Sequence, residues 1–96
     1  MPTLSDDEIL QALAGLPAWK RDANAIIRRL EFPDFAAAMK FVNRVADAAE
    51  QANHHPDITI NYNKVTMLLT SHDSGGITKR DIRMAGRIDE IASAQG

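Results

Sequence analysis

The sequence contains no cysteine, which excludes disulfides, thiolate catalysis and cysteine-ligated metal sites. It also lacks a basic excess, since 11 lysines and arginines stand against 13 acids and give a net charge of −2 with neutral histidines. Binding to nucleic acid or to an anionic membrane through charge is therefore not expected. Apolar runs are short, and residues 1–13 carry three acids and no basic stretch, so we expect a cytoplasmic chain with neither a membrane-spanning helix nor a signal peptide.

Aromatic residues are few as well, with one Trp, one Tyr and three Phe. The rest of the composition is that of an ordinary globular chain, because 45% of the residues are hydrophobic and 25% are charged. At 96 residues there is room for one hydrophobic core, so we expect residues 1–96 to form a single domain. Among residue types that carry chemistry, three histidines are the feature to explain, and two of them are adjacent.

Capping and periodicity signals predict three helices. Ser5 and Glu8 have the spacing of a capping box before a short helix over residues 6–14. The Ala-rich segment 35–52 has no internal Gly or Pro and gives the strongest helical signal. Thr78 is the predicted N-cap of a last helix. The apolar stripe of that helix consists of Ile82, Ala85, Ile88 and Ile91.

Alternating apolar residues predict two β-hairpins. The first turns at Ala23-Asn24, between residues 19–22 and 25–32, and the second turns at Asn63-Lys64, between residues 57–62 and 65–70. Arg28 falls on the apolar face of its strand. That face must therefore be partly exposed to solvent, or another residue must be a partner for Arg28. The order α-β-β-α-β-β-α predicts an α+β, two-layer fold, with a four-stranded antiparallel sheet and three helices on one face.

The long helix 35–52 carries two apolar stripes. The first is predicted to face the sheet and consists of Phe35, Met39, Val42, Ala46 and Ala49. The second runs along the side of the helix and consists of Ala37, Phe41, Val45, Ala48 and Ala52. This second stripe fits either a deeply buried helix or a helix that also packs against another subunit.

The three histidines lie near chain segments that the second hairpin brings together. His54 and His55 stand where a helix meets a strand, and His72 ends the last strand. Antiparallel pairing in this hairpin places Asp57 level with about Thr70. All three histidines can therefore lie together at the opening of one site. Two alternatives stay open: the histidines are simply solvated, or the three imidazoles bind zinc.

Two carboxylates accompany the histidines. Glu50 precedes His54 by four residues, so within one helix it could fix the tautomer of that imidazole. Asp81 stands three residues after Thr78, which fits a capping-box partner. Basic residues also gather on the last helix, where a solvated face is the simplest interpretation. They are Lys79, Arg80, Arg83 and Arg87.

Together these residues form the pattern Glu50-x3-His54-His55-Pro56-x5-Tyr62-x9-His72-x8-Asp81. The pattern resembles the signature of the pterin-4a-carbinolamine dehydratase family, also known as the dimerisation cofactor of a homeodomain transcription factor. The similarity extends over nearly the whole chain, to Trp19, to Phe32-Pro33-Asp34-Phe35 and to Gly75-Gly76-Ile77-Thr78.

The resemblance implies a lyase that removes water from 4a-hydroxytetrahydropterin and gives quinonoid dihydropterin, in the recycling of tetrahydrobiopterin for aromatic amino acid hydroxylation. It implies His54 and His72 as the catalytic acid–base pair, and His55 as a catalytic-site residue that binds and positions the pterin. Glu50 and Asp81 are implied as supporting carboxylates. The implied pterin contacts are Asn53, His54, His55, Thr70, Ser71, His72 and Asp73. Proton transfer of this kind needs no metal and no cofactor, and imidazoles with an ordinary pKa of about 6.5 suit it near neutrality.

The family is oligomeric, which implies a homodimer or a homotetramer formed through a sheet edge and helix 35–52. The implied partners are a small-molecule pterin, further copies of this chain and an aromatic amino acid hydroxylase in the same pathway, with no nucleic acid and no membrane. Two different functions stay open: an adaptor that binds a transcription factor or assists another enzyme, and a metal-dependent hydrolase. Retention of all three histidines favours catalysis, because an adaptor can dispense with them.

Overall fold

A computed structural model describes residues 2–95 of the chain. The helices and strands follow the predicted order α-β-β-α-β-β-α. They are α1 (Asp6–Ala14), β1 (Lys20–Asp22), β2 (Ala25–Glu31), α2 (Phe35–Ala52), β3 (Asp57–Asn61), β4 (Lys64–Leu69) and α3 (Lys79–Gln95). Within the described residues, no helix is long and apolar enough to cross a membrane.

Side-chain caps define where the first two helices begin. The Ser5 hydroxyl accepts a hydrogen bond from the Glu8 N–H at 3.2 Å, and the Glu8 carboxylate accepts one from the Ser5 N–H at 2.8 Å, so the predicted capping box is confirmed. The Ser5 backbone N–H also lowers the pKa of Glu8. Asp34 caps α2, since its carboxylate accepts the Ala37 N–H at 2.8 Å. Both helices have the predicted bounds because each start is fixed by a local cap.

The four strands form one antiparallel sheet in the order β1-β2-β4-β3. The second hairpin turns at residues 62–63 instead of the predicted 63–64, and Asp57 pairs with Leu68, two residues away from the predicted Thr70. The cause lies outside the hairpin. Asn63 donates its side-chain amide to the Phe32 carbonyl at 2.7 Å, and its backbone carbonyl accepts the Phe32 N–H at 2.9 Å, which fixes the turn against the end of β2.

One face of the sheet carries the hydrophobic core. The core side chains from the sheet and the helices that are fully buried include Ile26, Val65, Met67, Leu69, Phe41, Val45 and Ile88. Arg28 shares this face of β2, and its guanidinium binds the Asp89 carboxylate of α3 at 2.5 Å. The Trp19 indole N–H donates to the same carboxylate at 2.8 Å. Of the two alternatives predicted for this strand face, solvent exposure or a partner for Arg28, the structure therefore shows the partner.

The prediction for the stripes of α2 is partly wrong. Phe35 is 49% exposed and Ala46 is also exposed, whereas Phe41 and Val45, assigned to the side stripe, are completely buried. The Phe41 ring lies on the Phe32 ring with 5.0 Å between centroids, which turns this side of α2 onto the end of β2. The second stripe is thus largely part of the chain's own core, as the deep-burial alternative required.

Candidate active site

A buried hydrogen-bonded pair of side chains joins the end of α2 to the start of α3. Asn53 ends α2 in the left-handed conformation (φ 50°, ψ 41°), and the chain after it leaves the helix axis. The His54 side chain consequently reaches α3, where its Nε2 lies 2.6 Å from Asp81 Oδ1. Asp81 is completely buried and His54 is 9% exposed. Burial of such a pair is costly unless each of its polar atoms has a hydrogen-bond partner.

The remaining acceptor sites of Asp81 are occupied by two further donors. Asp81 Oδ2 accepts the Ser71 hydroxyl at 2.9 Å and the Thr78 N–H at 2.8 Å. The Ser71 and Thr78 hydroxyls are 2.8 Å apart and hydrogen-bond to each other. Asp81 is therefore the capping partner of Thr78, as predicted, and at the same time the partner of His54. The capping function and the histidine contact use different oxygens of one carboxylate.

These contacts determine which nitrogen of His54 faces a ligand. An ionised carboxylate only accepts hydrogen bonds, and both oxygens of Asp81 already do so. The His54 Nε2 must therefore carry a hydrogen that it donates, an assignment made from the network of partners. This leaves Nδ1 as the ring nitrogen that can exchange a proton with a bound molecule.

The second carboxylate has a different partner from the one predicted. Glu50 contacts the Nε2 of His55 and not the imidazole of His54. The predicted spacing of one helical turn applies only while the helix continues, and α2 ends at Ala52. Because the chain changes direction at Asn53, the His54 side chain lies against α3. The His55 side chain, and not that of His54, therefore lies beside Glu50. Both members of this second pair are largely exposed.

The third histidine, His72, is next in sequence to a residue of the buried network around Asp81. His72 is exposed and directly follows Ser71, whose hydroxyl donates to Asp81. The loop after it is held by backbone hydrogen bonds between Ser71 and Gly76 at 2.9 and 3.3 Å, and Gly75 adopts a positive φ (80°). Asp81 thus contacts both His54 and Ser71 directly. His72 is connected to this network only through the backbone of Ser71.

The other predicted pterin contacts have different local environments. Asn53 is the exposed cap of α2, and the Thr70 hydroxyl donates to the Asn24 carbonyl at 2.6 Å. Asp73 is exposed and binds Arg80 at 2.6 Å, and this hydrogen bond lowers the pKa of Asp73. These residues lie in the same two segments as the histidines, but the Thr70 hydroxyl and the Asp73 carboxylate already have partners within the chain.

A cavity of about 400 Å³ opens beside His54, between the end of α2 and α3. Three of the four basic residues that were predicted to form a solvated face line it, and of these Arg83 and Arg87 are exposed, as predicted, whereas Arg80 is half-buried. The lining residues are Ala48, Gln51, Ala52, His54, Arg80, Arg83, Met84, Arg87 and Glu90. The spacing of the three arginines, by three and then four residues, was the signal available in the sequence that they share one helix face.

Metal binding by the three imidazoles is the alternative chemical use of the histidines. Within residues 2–95, no group of three or more His, Asp or Glu side chains is placed so that it could hold a metal ion. His54 and His55 each contact a different carboxylate, which separates the two adjacent imidazoles. Among residues 2–95, the three imidazoles therefore do not form a set of metal ligands.

Comparison with known proteins finds relatives that match nearly the whole chain. The family model described as pterin 4 alpha carbinolamine dehydratase matches residues 2–91. The chain is 62% identical over 89 residues to a protein of Koribacter versatilis named as a candidate pterin-4-alpha-carbinolamine dehydratase, covering 93% of this chain and 95% of that one. A Thermomicrobium roseum protein of the same name is 52% identical over 93 residues, which cover 97% of this chain and 100% of the relative.

A solved structure is similar over almost the entire fold. It is described as a transcriptional coactivator/pterin dehydratase from Brucella melitensis, and it superposes with a TM-score of 0.90 at 36% sequence identity. The similarity covers 94% of this chain and 98% of the other. With a family match across residues 2–91 and relatives of this identity and coverage, the chain belongs to the pterin 4 alpha carbinolamine dehydratase family.

Proposed function

We propose that this chain dehydrates pterin 4a-carbinolamines by general acid–base catalysis with histidine. In the reaction a proton is delivered to the leaving hydroxyl at C4a, the C–O bond breaks and N5 loses its proton. The products are water and quinonoid dihydropterin. Since neither a nucleophile nor a redox change is required, a site built from imidazoles and carboxylates is sufficient.

The observation that carries the proposal is the buried His54–Asp81 pair, of which His54 lines a ligand-sized cavity. Asp81 holds the His54 ring in one orientation and one tautomer, so that Nδ1 can take or give a proton without first reorganising. A positioned acid or base of this kind typically contributes about 10²–10⁴-fold to the rate. Ser71 and Thr78 donate hydrogen bonds to the other oxygen of the same carboxylate.

In this proposal His72 is the second member of the acid–base pair and His55 holds the pterin. His72 is exposed beside Ser71, where a bound substrate can reach its imidazole. His55 is held by Glu50 at the start of the segment that leads into β3. The edge of the pterin ring that resembles an amide needs hydrogen-bond partners. In segments 53–55 and 70–73, the His55 and His72 N–H groups have no partner among residues 2–95 and are available for this purpose.

We propose that this reaction serves the recycling of tetrahydrobiopterin in the cytoplasm, after an aromatic amino acid hydroxylase has used it. We further propose that the chain works as a homodimer or a homotetramer. β3 is an edge strand of the sheet, and its hydrogen-bonding groups on one side have no strand beside them among residues 2–95. Next to that edge Tyr62 is 63% exposed, and on α2 the large apolar side chain of Phe35 is exposed as well.

The proposal is tested by following quinonoid dihydropterin formation with purified wild-type protein and with His72→Ala. We expect the wild type to accelerate the reaction and His72→Ala to lose most of the acceleration, at an unchanged urea midpoint because the imidazole is exposed. A wild-type rate equal to the spontaneous rate would contradict the enzymatic function. It would favour an adaptor, a function suggested by the coactivator description of the Brucella melitensis protein.

A further inference from the structure

The cavity beside His54 is unusually cationic for this chain. Arg80, Arg83 and Arg87 line it together with a single acid, Glu90, although the sequence as a whole has a net charge of −2. Guanidinium groups bind phosphate and carboxylate oxygens through paired N–H donors. A concave site with three of them around about 400 Å³ concentrates positive potential where a small anion can enter.

Two of the three guanidinium groups have no partner in the part of the chain that the structure describes. Arg80 is bound to Asp73 at 2.6 Å, whereas neither Arg83 nor Arg87 makes a hydrogen bond or an ion pair with any of residues 2–95. Two like charges four residues apart on one helix also repel each other, which disfavours the helix in the absence of an anion. These two side chains therefore have donors available for a ligand.

The position of the pair relative to His54 indicates which part of a ligand it would bind. Ala48, Ala52 and Met84 give the cavity apolar surface on which a flat ring can lie near the imidazole. Arg87 stands seven residues beyond Arg80 on α3, which is about 10 Å along the helix axis. A pterin whose ring lies at His54 would direct a substituent along α3 toward these donors.

We infer that the pterin bound by this chain carries an anionic group, a phosphate ester or a carboxylate, on the side chain of its ring, and that Arg83 and Arg87 bind this group. The inference rests on the proposed function, because it takes the cavity beside His54 as the place where the pterin lies. It adds a determinant of specificity to a reaction whose chemistry takes place at the ring. The two arginines hold the substrate and do not touch the reacting atoms.

The test compares pterins that differ in charge, by isothermal titration calorimetry with the intact wild-type chain. The probes are neopterin, its monophosphate ester and 6-carboxypterin, which separate a phosphate from a carboxylate, and inorganic phosphate alone. We expect the monophosphate to bind about tenfold more tightly than neopterin at low salt, a gain that charge-assisted hydrogen bonds supply and that added salt reduces.

Matched variants assign the gain to the two arginines. Arg83→Gln and Arg87→Gln should each reduce the preference for the monophosphate at least threefold, and the double variant should abolish it, while neopterin binds as in the wild type. Arg29→Gln is the control, because it removes the same charge from an exposed position on β2 outside this cavity. It should leave the preference unchanged.

Equal affinities for all three pterins would overturn the inference, as would equal losses for neopterin and the monophosphate in the Arg83 and Arg87 variants. Inorganic phosphate that binds as tightly as the phosphorylated pterin would also overturn it, since the site would then recognise an anion without the ring. If a carbinolamine with an uncharged side chain is dehydrated and charge gives no gain, this inference is wrong and the proposed function stands. If charge gives the gain without any dehydration, the proposed function is wrong and the cavity still binds anionic pterins.

Discussion

Substitution of Asp81 by Asn tests whether this carboxylate sets the tautomer of the buried histidine. Three donors surround Asp81: the His54 ring, the Ser71 hydroxyl and the Thr78 N–H, at 2.6, 2.9 and 2.8 Å. The amide oxygen of Asn can still accept the last two, but its NH2 group must then face His54 Nε2. The ring can satisfy that NH2 only if Nε2 becomes the acceptor and the hydrogen moves to Nδ1.

The loss of folding free energy in each variant depends on which hydrogen bonds to residue 81 are kept. With Asn every contact survives as a neutral bond, so the loss is the difference between charged and neutral hydrogen bonds, about 1–3 kcal/mol in total. With Ala, three buried donors lose their acceptor at about 1–3 kcal/mol each, a sum comparable to the entire stability of a domain this size, about 5–15 kcal/mol. Asp81→Asn should therefore fold and Asp81→Ala should be largely unfolded at room temperature.

The assay is ¹⁵N NMR of the histidine rings, combined with urea unfolding. In the wild type at a pH where His54 is neutral, we expect the hydrogen on Nε2; in Asp81→Asn we expect it on Nδ1. The urea midpoint should fall by about 1–2 M in Asp81→Asn, given typical urea slopes, and stay unchanged in Asp47→Asn, an exposed acid of α2. A wild-type His54 with its hydrogen on Nδ1, or no change of tautomer in the variant, would refute the reasoning.

Three further predictions concern the surroundings of the site. Arg80→Gln should raise the pKa of Asp73 toward its ordinary value in a carboxyl ¹³C titration, because the Arg80 hydrogen bond now lowers it; this ion pair stabilises the fold above the ordinary Asp pKa, and the contribution disappears as the pH falls through the lowered one. An unchanged Asp73 titration would contradict the contact. Phe41→Ala should lower the free energy of unfolding by about 3–5 kcal/mol in urea, since Phe41 is completely buried; a loss below about 1 kcal/mol would contradict the core described above. Glu50→Gln should raise KM for the pterin through His55 with little change in the urea midpoint, because both side chains are exposed; a large drop in the midpoint would show a structural role instead.

The sequence was informative wherever a local contact decides the structure. The bounds of α1 and α2 follow from the caps Ser5 and Asp34, whose partners lie three residues away. The second turn was misplaced because Asn63 is held by Phe32, a residue 31 positions earlier that belongs to another hairpin. Local propensity also gave no reason to expect Tyr62 in the left-handed conformation that this turn requires (φ 53°).

The same distinction applies to the candidate site. The histidines and both carboxylates were identified from the pattern, but their pairing was not, because it depends on where α2 ends. Asp81 is 27 residues from His54, and only the packing of α3 against α2 brings the two together. The arginines of the cavity were missed for a similar reason. A row of charges on a helix predicts only a solvated face, and the packing of α2 against α3 is needed to show that the exposed Arg83 and Arg87 also line a cavity.

The central claim is that the histidine held by Asp81 transfers a proton during dehydration. Its most direct test is a single-turnover stopped-flow measurement, with protein in excess over a 4a-carbinolamine, on the wild type and on His54→Gln. We predict that the wild type exceeds the buffer rate at least 10²-fold and that His54→Gln loses about 10²-fold while retaining native near-UV circular dichroism. A wild-type rate equal to that of buffer, or a folded His54→Gln variant as fast as the wild type, would contradict the claim.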